Sequence, residues 1–126
     1  MDFISKQQNE FGFINQLTNR IKHKFPDYSV DYEMIFDRLR PDIYINKHNN
    51  EQNIIIEIKK FRTENYSSLP FSTIIQLEDY KKHFDDHRII LITFVKINKL
   101  MEHKLKELNI EVIINPNTFT EITEKI

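Results

Sequence analysis

The chain has 126 residues, which fits one domain spanning 1–126 and leaves little for a second module. A formal net charge of −1 gives no overall attraction for nucleic acid, so any phosphate contact has to come from local patches or a metal. Without Cys there are no disulfides or thiolate metal sites, no apolar run approaches the roughly 18 residues that span a bilayer, and Met1 to Lys6 lacks the pattern of a signal peptide, so the expectation is a soluble, cytoplasmic protein.

Ile14, Leu17, Ile21 and Phe25 recur at helical spacing, which predicts an amphipathic helix ending near Pro26. Glu10 falls one turn earlier on the same stripe. The alternation in Ser29 to Met34 predicts a strand. Arg40 precedes Pro41 and is therefore extended; since Pro is tolerated at a strand's start, Asp42 to Asn46 follows as a second strand. Lys47 to Asn53 is a polar turn. Ile54 to Lys59 begins with an unbroken apolar run, the mark of a central strand buried on both faces.

Phe61 to Ser72 predicts a long loop, with Ser72 or Thr73 able to cap the helix carrying Ile74, Leu77 and Tyr80. Arg88 to Val95 predicts a fourth strand. Asn98 can cap a helix through Leu105 and Leu108, and Ile110 to Ile114 predicts a fifth strand. The tail from Asn117 to Ile126 is polar and predicts a short strand or loose chain. The element order is α β β β α β α β. Hairpins first and β-α-β crossovers later imply an α/β fold, a mixed sheet with helices on both sides.

Side chains alternate along a strand, so Glu57 and Lys59 share one face while Ile56 and Ile58 occupy the other. Asp42 on the neighbouring strand can lie alongside Glu57. Two carboxylates so placed repel unless a cation sits between them. Mg²⁺ takes hard oxygens and keeps several waters. Asp42, Glu57 and the carbonyl of Ile58 would suit it. Lys59 is a compact charge able to orient a water or neutralise a transition state.

Pro41-Asp42, fourteen residues, then Glu57-Ile58-Lys59 resembles the signature of the PD-(D/E)XK nuclease superfamily. The resemblance covers roughly Glu10 to Ile114. Glu10 is similar to the first-helix acidic residue that helps bind metal in many members, and Gln76 with Tyr80 resembles the Q-x-x-x-Y motif of several subfamilies. In layout the chain is similar to small Holliday junction resolvases and Mrr-like nuclease domains, although its charge is less basic than theirs. The resemblance implies a restriction-endonuclease-like core, αβββαβ(αβ). It also implies a Mg²⁺-dependent endonuclease on DNA, with Mn²⁺ able to substitute. Asp42, Glu57, Lys59 and Gln76 would be catalytic, and Glu10, Asp42, Glu57 and Ile58 would hold metal. A homodimer, or a subunit of a larger defence or repair complex, would then present the site to nucleic acid.

Lys60, Arg62, Lys81 and Lys82 are candidates for a phosphate-binding edge, against the alternative of solvent-facing charge. Phe61, Tyr66 and Phe71 could form a stacking platform or join the core. His83 and His87 are spaced four apart, but Asp85 and Asp86 between them point to a helix end rather than a zinc site. The rival readings are a non-cutting binding or scaffolding module and an RNA-directed defence nuclease.

Overall fold

The computed structural model describes residues 2–60 and 68–126. Its elements are α1 (Glu10–Lys24), β1 (Ser29–Tyr32), β2 (Ile43–Asn46), β3 (Ile54–Lys59), α2 (Ser72–His83), β4 (Arg88–Thr93), α3 (Lys99–Glu107), β5 (Glu111–Ile114) and α4 (Phe119–Thr123). The strands form one five-stranded sheet in the order β1-β2-β3-β4-β5. The first three pair antiparallel; β3, β4 and β5 run parallel. The sheet is mixed and flanked by helices, an α/β fold.

The period-2 rule sorts the core into two layers. Ile54, Ile56 and Ile58 of β3 point to the face covered by α1 and α4, where Phe13, Leu17, Ile21, Phe119 and Ile122 meet them. Ile55 points the other way, into a layer with Ile74, Leu77 and Tyr80 of α2 and Met101 and Leu105 of α3. β3 is thus buried on both faces, as its apolar run implies.

Caps follow local chemistry with one exception. Asn9 accepts from the amide of Gly12 and opens α1, and Asn98 accepts from the amide of Met101 and opens α3. Neither Ser72 nor Thr73 caps α2: the N-cap is Phe71, without a side-chain bond, and Thr73 is buried in the first turn. The tail expected as a strand or loose chain is instead a helical turn, α4, capped by Thr118. Its apolar Phe119 and Ile122 are three apart and close the core over α1.

With one Gly in the chain, the tight turns use other residues. Asp37, His48, Asn109 and Asn115 all stand at positive φ. Asn, Asp and His are the residues for which that conformation is least unfavourable.

Candidate functional site

β2 and β3 are antiparallel with Ile43 opposite Ile56, so continuing the register by one step sets Asp42 opposite Glu57. The pairing is reinforced locally: the backbone N–H of Ile58 donates to Asp42 Oδ2 at 2.7 Å. Pro41 withholds a donor just before Asp42, where the strand begins. The candidate site therefore forms at the C-terminal end of β3, where the antiparallel hairpin half of the sheet meets the parallel half.

Glu57 projects toward α2 and is only 3% exposed. Each of its oxygens has a partner. Lys59 Nζ lies 3.2 Å from Oε2. The Tyr80 hydroxyl lies 2.9 Å from Oε1 and 3.0 Å from the carbonyl oxygen of Arg40, so its one proton serves one acceptor at a time. Gln76 Nε2 donates to the Tyr80 oxygen at 3.2 Å. The four-residue spacing of Gln76 and Tyr80 stacks them on one helix face, and the result is a chain from Gln76 through Tyr80 to Glu57.

The electrostatics are those of like charges held together. Burial, then the adjacent Asp42 carboxylate, push the Glu57 carboxyl up to about 8. Burial also raises Asp42, against the pull of the Ile58 amide, a hydrogen bond with Glu57 and the charge of Lys59. Glu10 opens α1 at the same place: burial raises its carboxyl first, and Asp42 raises it further. Tyr80 is raised as well, chiefly by burial and then by the charge of Glu57. Glu10, Asp42 and Glu57 thus form a carboxylate row running from α1 across the end of the sheet to α2, with Lys59 beside it.

The donor set consists of hard oxygens, the chemistry that suits Mg²⁺ or Mn²⁺. As the side chains stand, no three His, Cys, Asp or Glu among the described residues converge closely enough to hold a metal ion. The opposed pair Asp42 and Glu57 supplies two carboxylates, which is how Mg²⁺ is ordinarily held when waters and a phosphate complete its shell.

The basic candidates separate. Lys60 does not stand on an edge open to phosphate. It is 8% exposed, its ammonium stands over the ring of Phe94, and it donates to the carbonyls of Lys6 at 3.3 Å and Gln8 at 2.5 Å. Strand alternation explains the reversal, since Lys59 faces α2 and Lys60 faces the segment leading into α1. Burial, then the nearby Lys6, lower its pKa. Lys81 and Lys82 lie in the last turn of α2, where cations offset the helix dipole. Lys82 is exposed and two positions from Tyr80, so it sits on the helix face away from the carboxylates. Arg62, Phe61 and Tyr66 lie outside the described residues; Phe71 is exposed. His87 bonds to Tyr44 and Asp86, while His83 Nδ1 bonds to the carbonyl of Asp79, so the pair does not join in a metal site.

Two features escaped the sequence. An open groove of about 400 Å³ lies beside Tyr80 and Gln76, with Arg38 and Arg40 on its rim. The alternation Arg38-Leu39-Arg40, with Leu39 buried between exposed cations, was the available signal. On the other flank, Phe11 and Tyr32 meet edge to face at 6.5 Å; these residues lie 21 positions apart in the chain, and nothing local links them.

No helix among the described residues is long and apolar enough to cross a membrane. No family model matches the chain, and no curated protein does. The structure of protein VC1899 from Vibrio cholerae is similar to it, with a TM-score of 0.65 at 14% identity. The match covers 91% of this chain and 32% of that one, so the chain spans about a third of its length. At such identity the likeness concerns the fold alone.

Proposed function

We propose that this chain is a divalent-metal-dependent endonuclease with a restriction-endonuclease-like core, hydrolysing phosphodiester bonds in nucleic acid, DNA first among them. The observation that carries the reading is the opposed pair of half-buried Asp42 and buried Glu57, with Lys59 Nζ 3.2 Å from Glu57. A fold gains no stability from a buried carboxyl kept from ionising by a second carboxylate set against it. Such pairs persist where a cation is to be bound, and perturbed acids of this kind cluster at reactive sites.

In this reading Asp42 and Glu57 hold Mg²⁺, with Glu10 and the Ile58 carbonyl as further oxygen donors. When bound, the metal stabilises charge on phosphoryl oxygens and makes its water more acidic. The chain's own groups do the rest. Glu57 has to release its proton before it can ligate. Tyr80, itself fixed by Gln76, holds the Glu57 carboxyl in one orientation. Lys59 brings a positive charge to the place where negative charge grows on the phosphoryl group. The element order and the Gln76–Tyr80 pair support the same reading; dimerisation or assembly into a larger defence or repair complex belongs to it as well.

The experiment is a cleavage assay on plasmid, linear duplex, single strands, a four-way junction and RNA, each with Mg²⁺, Mn²⁺ or EDTA. Cleavage should require metal and should vanish in Asp42→Ala and Lys59→Ala while both variants stay folded. Full activity in Asp42→Ala removes the assignment.

A further inference from the structure

The carboxylate row is flanked by two surfaces of different chemistry, an aromatic pair and a pair of arginines, that the nuclease reading leaves unused. On the α1 side stand Phe11, 54% exposed, and Tyr32, 43% exposed, in edge-to-face contact. Phe11 directly follows Glu10, and Tyr32 pairs with Ile43, the neighbour of Asp42. Both rings are therefore fixed to the backbone that carries the carboxylates. On the α2 side lies the groove rimmed by Arg38 and Arg40. Their segment is rigid: Phe36 and Leu39 exchange backbone hydrogen bonds at 2.7 and 2.9 Å, and the carbonyl of Arg40 accepts from Tyr80 at 3.0 Å. Neither guanidinium makes an ion pair among the described residues. Asp79 is the acidic residue in the groove, so its lining carries a positive balance.

Two exposed rings held in contact offer π-faces on which bases can stack. We infer that this rim binds single-stranded nucleic acid, with unstacked bases on Phe11 and Tyr32 and backbone phosphates on Arg38 and Arg40. The inference deepens the nuclease reading and rests on it for the role of the carboxylates. Two facts favour a single strand over a duplex. Aromatic faces can stack only on bases that are unpaired and splayed out. A duplex binder draws its affinity from many phosphate contacts, for which a chain of net charge −1, with few cations near the site among the described residues, is poorly equipped.

The test is binding in Ca²⁺ and in EDTA, read by fluorescence anisotropy of labelled dT15, rU15 and a 15-base-pair duplex. The full chain should bind the single strands at least tenfold more tightly than the duplex. The dT15 and rU15 arms separate DNA from RNA. Tyr32→Ala and Phe11→Ala should each weaken single-strand binding by about tenfold, from the usual worth of one stacked base. Tyr32→Phe keeps the ring and should restore binding. Arg38→Ala with Arg40→Ala should flatten the salt dependence by about 0.7 in log–log slope for each phosphate left without its cation. Equal or tighter duplex binding, or single-strand affinity indifferent to both aromatic substitutions, overturns the inference. Cleavage of duplex that is indifferent to Tyr32→Ala would overturn it while leaving the nuclease reading intact. Ring-dependent single-strand binding without metal-dependent cutting would do the reverse.

Discussion

Replacing Glu57 by Gln should remove a pH-dependent instability. In the folded protein the Glu57 carboxyl is pushed up to about 8 from an ordinary value of 4.5. Between those values the native state holds a proton that the unfolded chain has released. Stability supplied by that proton is complete below pH 4.5 and is lost as pH rises toward 8. The step from pH 5.5 to 7.5 should therefore remove about 2–3 kcal/mol. For a chain of 126 residues that is a fall of about 10 °C in Tm. Urea and thermal melts of the wild type and Glu57→Gln at both pH values give the difference directly. Asp2 and Glu111, whose carboxyls are lowered by their partners, titrate below this window. Asp42, hydrogen-bonded to Glu57, changes with the substitution, and the remaining groups keep the same surroundings in both proteins. The variant should be nearly as stable as the wild type at pH 5.5 and more stable at 7.5. Millimolar Mg²⁺ should restore the wild type at pH 7.5 and do little for the variant. Stability curves that run parallel from pH 5.5 to 7.5 refute the reasoning, because Glu57 would then not be protonated in the folded state.

Tyr80→Phe should cost about 1–2 kcal/mol in a urea melt, since Gln76 and the Arg40 carbonyl each lose a partner. It should also move the Glu57 transition to still higher pH, because the Tyr80 hydroxyl holds that carboxyl down. Lys60→Met should destabilise by about 2 kcal/mol and speed amide exchange at Lys6 to Gly12, the segment whose carbonyls its ammonium ties down; unchanged exchange there would contradict the latch. Asn109→Gly should stabilise by about 0.5–1 kcal/mol in the same melt, because Asn109 follows the C-cap of α3 at φ 58 and Gly meets no Cβ penalty there.

The parts of the fold legible in the sequence were those governed by local period. The alternation in β3 placed Glu57 and Lys59 on one face, and the four-residue step from Gln76 to Tyr80 placed both on one side of their helix. Asp42 was legible because antiparallel register is nearly fixed once two apolar strands flank a polar turn. What stayed hidden depended on distant partners. Lys60 looks like any cation after a strand until Lys6 and Gln8, more than fifty residues earlier, bring their carbonyls to it. The one-turn helix at Phe119 has too few residues for a period to show, and α1 is what buries it. The N-cap at Phe71 was missed because Ser and Thr favour caps only when the preceding chain lets them, and Pro70 and Phe71 set the entry into α2 instead.

The carboxylate row stands at the seam of the sheet, and that location ties its final geometry to the order of assembly. The hairpin half can form early, since its strands are near neighbours in the chain, whereas the parallel half waits for two crossovers to close. Asp42 comes from the first half and Tyr80 from the second, with β3 shared between them. A half-folded chain therefore brings Asp42 to Glu57 on one hairpin but lacks the Tyr80 hydroxyl that meets Glu57. The Tyr80 contact to Glu57 arrives only when α2 packs in the first crossover, so the carboxyl is fixed in place by the same step that joins the two halves of the sheet.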